Sequence, residues 1–242
     1  MEDNFDCDLF INKDYVEKEF KYKDCVQKYK ASTSASTDFD LTGQIVWRAA
    51  EQLAEFIVEN KEIFRDKVVL EVGAGVGLSG LVCAQYAKQV YITDGNDIVC
   101  ELMEMNAQYA QNNNVVMEKY CWGDLSYLEK RKDIKFDIII GADIMFWESS
   151  IEPLAITLKQ AYELYPQILV YTATRVRAKH SEDRFDQRLQ ERNLERIVLY
   201  SEGENKFYKI FNKSNNNVQD SDLSRYVIPE QKRAELNQKQ SE

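Results

Sequence analysis

The run VVLEVGAGVGLSG, residues 68–80, constrains the fold more than any other stretch of the chain. An apolar strand leads into Gly73, Gly75, Gly77 and Gly80, four of the nine glycines in the molecule, and then into an apolar helix. Glycine admits positive φ and leaves the backbone bare, so a ligand can approach main-chain amides at the positive end of the following helix. Strand, glycine turn and helix in this order belong to a parallel α/β sheet.

The same rhythm continues downstream. After a strand at 67–72 come VYIT at 90–93, a helix with Ile98, Leu102, Met105 and Tyr109 on one face, and a strand over VVMEKYCW, 115–122. FDIIIGAD at 136–143 is apolar without alternation, which predicts a central strand covered on both faces. A helix opens near Ser150 with Pro153 in its first turn and stops at Tyr165 before Pro166. The strand ILVYTAT follows, then a helix at 181–192 and an antiparallel hairpin around Gly203. Ahead of the glycine run, Ile45, Ala49, Leu53, Phe56 and Ile57 form a helical stripe behind Thr42, a candidate cap. Residues 1–40 read as an extension with a hairpin at 19–30 and a flexible joint at 31–38; 41–212 is the folded domain. Residues 213–242 are polar enough to be expected as a disordered tail, holding a short helix at 229–238, whose loss leaves folding intact.

Composition excludes several classes. The net charge of −10 disfavours generic nucleic-acid binding and favours basic partners. No apolar run reaches the roughly 18 to 20 residues of a membrane span. Five cysteines without CxxC spacing and a single histidine, His180, suggest neither a disulfide framework, a metal site nor a Ser-His-Asp triad. These features point to a reducing cytoplasm or nucleus.

Two ligand classes use a glycine turn of this kind. Gly75, Gly77 and Gly80 fit GxGxxG, and Asp94 stands about 20 residues on, where a dinucleotide's ribose would be held. Glu71 argues for the other class: a carboxylate at this strand end opposes a pyrophosphate and suits a ligand carrying an amine and a sulfonium, such as S-adenosylmethionine.

Five blocks in order resemble the class I, seven-β-strand methyltransferases, and within them the non-histone protein-lysine methyltransferases: GQIVW, VVLEVGAGVGLSG, YITDGND, CWGD and GADIMF, spanning roughly 42–212. The resemblance implies a Rossmann-like sheet of seven strands, mostly parallel with an antiparallel last strand and helices on both faces. It implies S-adenosylmethionine as cofactor, with Glu71, Gly73, Ala74 and Gly75 around its methionine part, Asp94 on its ribose and Trp122 against its adenine. Ala142 would lie beside it and Trp47 near the pocket mouth. In Asp143-Ile144-Met145-Phe146 it implies the reacting end, with Asp143 orienting a lysine nitrogen and Phe146 packing on the lysine stem. Methyl transfer is an in-line displacement, so positioning a neutral amine is the main task. Basic residues in TATRVRAKH, 172–180, are expected to help place the substrate. The implied acceptor is a lysine in a basic region of a cytosolic protein. An arginine or small-molecule acceptor would use the same cofactor half, and a cofactor-binding partner protein without catalysis is the remaining reading.

Overall fold

A computed structural model describes residues 13–34, 39–145, 147–214 and 226–228. In chain order it contains a hairpin of β1 (Tyr15–Tyr22) and β2 (Cys25–Ser32), a 3-10 turn at Phe39–Gln44, α1 (Arg48–Glu59), α2 (Lys61–Phe64), β3 (Val68–Val72) and α3 (Leu78–Ala84). Next come β4 (Gln89–Asp94), α4 (Asp97–Asn106), β5 (Val115–Lys119), α5 (Leu125–Glu129), β6 (Ile138–Ala142) and α6 (Glu148–Leu164). Last are β7 (Leu169–Arg175), α7 (Lys179–Gln190), β8 (Leu194–Glu202) and β9 (Asn205–Asn212). The main sheet has the order β5-β4-β3-β6-β7-β9-β8, and β9 runs antiparallel to both of its neighbours.

This is the seven-stranded, mostly parallel sheet expected, with helices on both faces. Successive side chains of a strand point to opposite faces, which explains the unbroken apolar run of β6. Ile138 and Ile140 pack in the layer of Leu53, Phe56, Leu81 and Val82 from α1 and α3. Ile139 packs in the opposite layer with Leu154 and Leu158 of α6 and Phe185 of α7. On β3 the same alternation turns Leu70 and Val72 toward the α6 layer and Val69 toward the α3 layer. Glu71 therefore also faces α3.

The chain leaves β3 toward β4 and β5, then returns to β6 on the other side of β3. This reversal opens a crevice at the carboxyl ends of β3 and β6, the place where open α/β sheets bind ligands.

Several expectations need correction. The helix expected from residue 42 starts at Arg48, with Trp47 at the N-cap position; the Thr42 carbonyl instead accepts a hydrogen bond from Trp47 Nε1 at 2.9 Å. β5 ends at Lys119 and does not reach Trp122, because the chain turns through Cys121–Asp124 with Gly123 at φ 85°. α6 begins two residues early, so Pro153 falls in its second turn rather than its first.

The ends are more involved than their polarity suggests. The hairpin covers 15–32 and sends Phe20, Cys25, Tyr29 and Ala31 into the core. Asn106 ties it down, exchanging hydrogen bonds with both the N–H and the carbonyl of Lys30 and donating to the Val76 carbonyl. In the presumed tail, Tyr226 is 7% exposed and packs among Phe56 and Tyr171, its hydroxyl 3.2 Å from that of Tyr171. The Asn60 side chain clamps the backbone of Val227 from both sides, at 2.9 and 2.8 Å. Residues 226–228 are thus a docked element, contrary to the tail reading. Of the flexible joint expected at 31–38, Ala31 and Ser32 are instead buried residues of β2, and 35–38 lie outside the described residues, as does the helix expected at 229–238.

Candidate functional site

The crevice is a cavity of about 720 Å³. Its floor is the glycine turn, in which Gly73, Gly75 and Gly77 all have positive φ, between 56° and 83°. Space as well as conformation demands glycine here. A Cβ at Gly73 would stand 2.7 Å from Trp122 Cζ2 and 2.9 Å from Ile144 Cγ2, and one at Gly75 would stand 2.9 Å from the Gly43 carbonyl oxygen. The 3-10 turn therefore closes directly over the glycines. Gly80 serves a different neighbour, since a Cβ there would run into the Glu71 carboxyl.

Glu71 is 1% exposed and accepts a hydrogen bond from the Gly80 N–H at 2.9 Å. Burial pushes its carboxyl up to about 8, opposed by the hydrogen bonds from Gly80 and Ser79 and assisted by the nearby charge of Asp94. At the end of β4, Asp94 accepts from the N–H groups of Gly75 at 3.0 Å and Asn96 at 3.1 Å. Burial raises its carboxyl as well, with these backbone hydrogen bonds opposing. Asp94 thereby holds the glycine turn in place while presenting its oxygens to the cavity.

Across the cavity, Asp143 follows β6 with φ 55°, its N–H bonded to the Ala173 carbonyl at 2.8 Å. Its side chain is 8% exposed and accepts both arms of the Arg177 guanidinium, 3.1 Å to Oδ1 and 2.9 Å to Oδ2. The Arg175 N–H adds a third hydrogen bond, 2.9 Å to Oδ1. Arg177 in turn lies over the Trp47 ring, 5.2 Å from its centroid. Further along the loop, Met145 is buried and its sulfur is 3.5 Å from Arg196 Nη1.

Trp47, Glu71, Gly73, Ala74, Gly75, Asp94, Trp122, Ala142 and Asp143 all line this one cavity, although they come from distant parts of the chain. Phe146 lies outside the described residues. Sequence reasoning did not single out Gly43, and reached Arg177 only as one of the basic residues of TATRVRAKH. Gly43 stands in the GQIVW block, and a Cβ there would stand 2.9 Å from Val99 Cγ2 and 3.3 Å from Gly75 Cα. For Arg177 the only signal was its place in a basic stretch after the fifth strand of the α/β core.

A sequence profile of the lysine methyltransferase family matches residues 32–192, well over half of the chain. The chain belongs to the lysine methyltransferase family. The protein-lysine N-methyltransferase EFM3 of Chaetomium thermophilum is 30% identical over 153 residues, 60% of this chain and 46% of its own length. The histone-arginine methyltransferase METTL23 of Xenopus laevis is 30% identical over 140 residues, 56% of this chain and 58% of its own. The chain spans about half the length of the relatives it matches. Among solved structures, the ribosomal protein L11 methylase of Lactobacillus delbrueckii subsp. bulgaricus shares the fold, with a TM-score of 0.53 at 20% identity over 70% of this chain and 81% of that one.

The residues of this family member fit S-adenosylmethionine. The glycine turn gives a bare cradle, Glu71 sets a carboxyl where a cationic amino-acid moiety would lie, and Asp94 would offer acceptors to ribose hydroxyls. A pyrophosphate would face the Glu71 carboxyl unfavourably, whereas Asp94 would suit the ribose of either ligand.

Proposed function

We propose that this protein transfers a methyl group from S-adenosylmethionine to the side-chain amine of a lysine in another protein. The observation that carries the reading is Asp143, a carboxylate at the end of β6 that lines the same cavity as the glycine cradle. S-adenosylmethionine supplies an electrophilic methyl group on a sulfonium. The chain's residues do the rest by placement. Glu71, Gly73, Ala74 and Gly75 surround the methionine part, Asp94 takes the ribose hydroxyls, Trp122 covers the adenine, and Ala142 and Trp47 close the sides. Asp143 accepts a hydrogen bond from the lysine nitrogen and turns its lone pair toward the donor; Phe146 packs on the lysine stem. Placement of this kind contributes through effective concentration and needs no bond to the protein.

The proposed acceptor lies in a basic region of a cytosolic protein, in keeping with the net charge of −10. Among the described residues, no helix is long and apolar enough to cross a membrane. One observation favours a second reading, an arginine acceptor: Asp143 already takes a guanidinium in a two-pronged pair. Incubating the protein with isotopically labelled S-adenosylmethionine and lysate from cells lacking it, then mapping the label by mass spectrometry, separates the two. Label on lysine is expected; label on arginine alone would contradict the proposal.

A further inference from the structure

The cavity contains a charge pair that cofactor binding does not require. Its described lining includes four acidic residues, Glu71, Asp94, Asp97 and Asp143, against one basic residue, Arg177. Other cations nearby are engaged elsewhere. Arg175 pairs with Glu204 at 3.0 Å, Lys119 with Asp97 at 2.6 Å, and Arg184 of α7 with Glu148 of α6. Cys121 and Tyr120 complete the titratable groups on the wall. The Arg177 guanidinium, fixed between the Trp47 ring and Asp143, is therefore the positive charge that meets the acceptor end of the site.

An acceptor lysine reaches the protein as an ammonium, and only its free amine has the lone pair for attack. A lone buried carboxylate would hold the proton on that nitrogen, because an opposite charge within a few ångströms favours the charged form. A guanidinium does not deprotonate and carries a permanent charge. We propose that Arg177 is a positioning residue whose guanidinium neutralises Asp143, so that the acceptor lysine enters the cavity as the free amine. The inference rests on the lysine-transfer reading above. Among the described residues, Oδ1 already accepts from Arg175 N–H and Arg177, while Oδ2 accepts from Arg177 alone, which leaves Oδ2 to receive an N–H of the neutral amine. The ammonium's proton leaves to solvent. The nitrogen lone pair then forms the new N–C bond as the C–S bond breaks, its electrons passing to sulfur.

The test uses two nucleosides and needs no acceptor. In sinefungin, a carbon bearing a primary amine replaces the sulfonium and its methyl group; S-adenosylhomocysteine lacks that amine and is otherwise alike. Calorimetry in buffers of different ionisation enthalpy counts the protons released by each ligand, and Glu71 contributes equally to both counts. For the wild type at pH 7, sinefungin should release about one proton more than S-adenosylhomocysteine. In Arg177→Gln the extra release should vanish, and sinefungin should gain about tenfold or more in affinity relative to S-adenosylhomocysteine, because Asp143 then holds an ammonium. Arg177→Lys should behave as the wild type. Should Arg177→Gln not fold, Asp143→Asn tests the same pair from the other side and should cost sinefungin about tenfold relative to S-adenosylhomocysteine. Equal proton release from the two nucleosides in the wild type, or identical behaviour of wild type and Arg177→Gln, would make Arg177 a structural brace and overturn this inference alone. Failure of the wild type to bind either nucleoside would overturn the methyl-transfer reading as well.

Discussion

At the ends of β3 and β4, Glu71 and Asp94 are held by main-chain N–H groups of Gly80, Gly75 and Asn96. On the opposite wall, Asp143 is held mainly by a side chain, the guanidinium of Arg177, with the Arg175 N–H as the one backbone partner of its carboxylate among the described residues. Backbone donors cannot leave without refolding the turn that carries them, whereas a side chain changes partners by rotating. The half of the cavity proposed to take the cofactor is thus held by main-chain groups. The half proposed to take the acceptor is held mainly by an exchangeable side chain. Preorganised dipoles suit the first task because they need no rearrangement when the ligand arrives.

The largest expected effect on stability comes from outside both halves and provides a control for the comparison. Tyr226→Ala should cost about 3 kcal/mol in denaturant unfolding, the lower end for truncating a buried aromatic, yet leave the affinity for S-adenosylhomocysteine unchanged once the protein is folded. A loss of affinity in proportion to stability would show that the docked segment supports the cavity. Within the cofactor half, Asp94→Ala should weaken S-adenosylmethionine by roughly 1.5 to 3 kcal/mol, the usual size for hydrogen bonds to a charged group. Calorimetry giving the wild-type dissociation constant would mean that Asp94 serves the glycine turn alone.

Glu71 gives the smallest and most specific signal. Its folded value of about 8 lies above the ordinary 4.5, so its contribution to stability is full below pH 4.5 and is lost as the pH rises to about 8. Glu71→Gln should flatten that part of the stability profile. A cationic cofactor moiety favours the ionised carboxylate, so binding S-adenosylmethionine at pH 7 should release close to one proton in the wild type and none from this site in Glu71→Gln. Equal release by both would remove Glu71 from the cofactor half.

What could be read from the sequence was whatever depends on near neighbours. The uniform apolar run of β6, the glycine turn after β3 and the stop before Pro166 are local patterns, and each reappears in the structure at its expected place. Thr42 misled because a threonine ahead of an apolar stripe looks like a cap, while the true start at Arg48 follows from Trp47 bonding back to the Thr42 carbonyl. Tyr226 and Val227 were hidden by their polar surroundings; their partners, Tyr171 and Asn60, are far away in sequence. The contact of Arg177 with Asp143 crosses 34 residues and two neighbouring strands, and no local pattern announces it.

The division of the cavity into a cofactor half and an acceptor half is tested most directly by Asp143→Asn, with cofactor affinity and methyl transfer measured on the same preparation. The substitution keeps the shape and removes the charge. Turnover should fall about 100-fold or more, as when a well-placed electrostatic contact is removed, while the dissociation constant for S-adenosylmethionine stays at the wild-type value. Transfer at the wild-type rate, or a loss of cofactor affinity as large as the loss of turnover, would contradict the account.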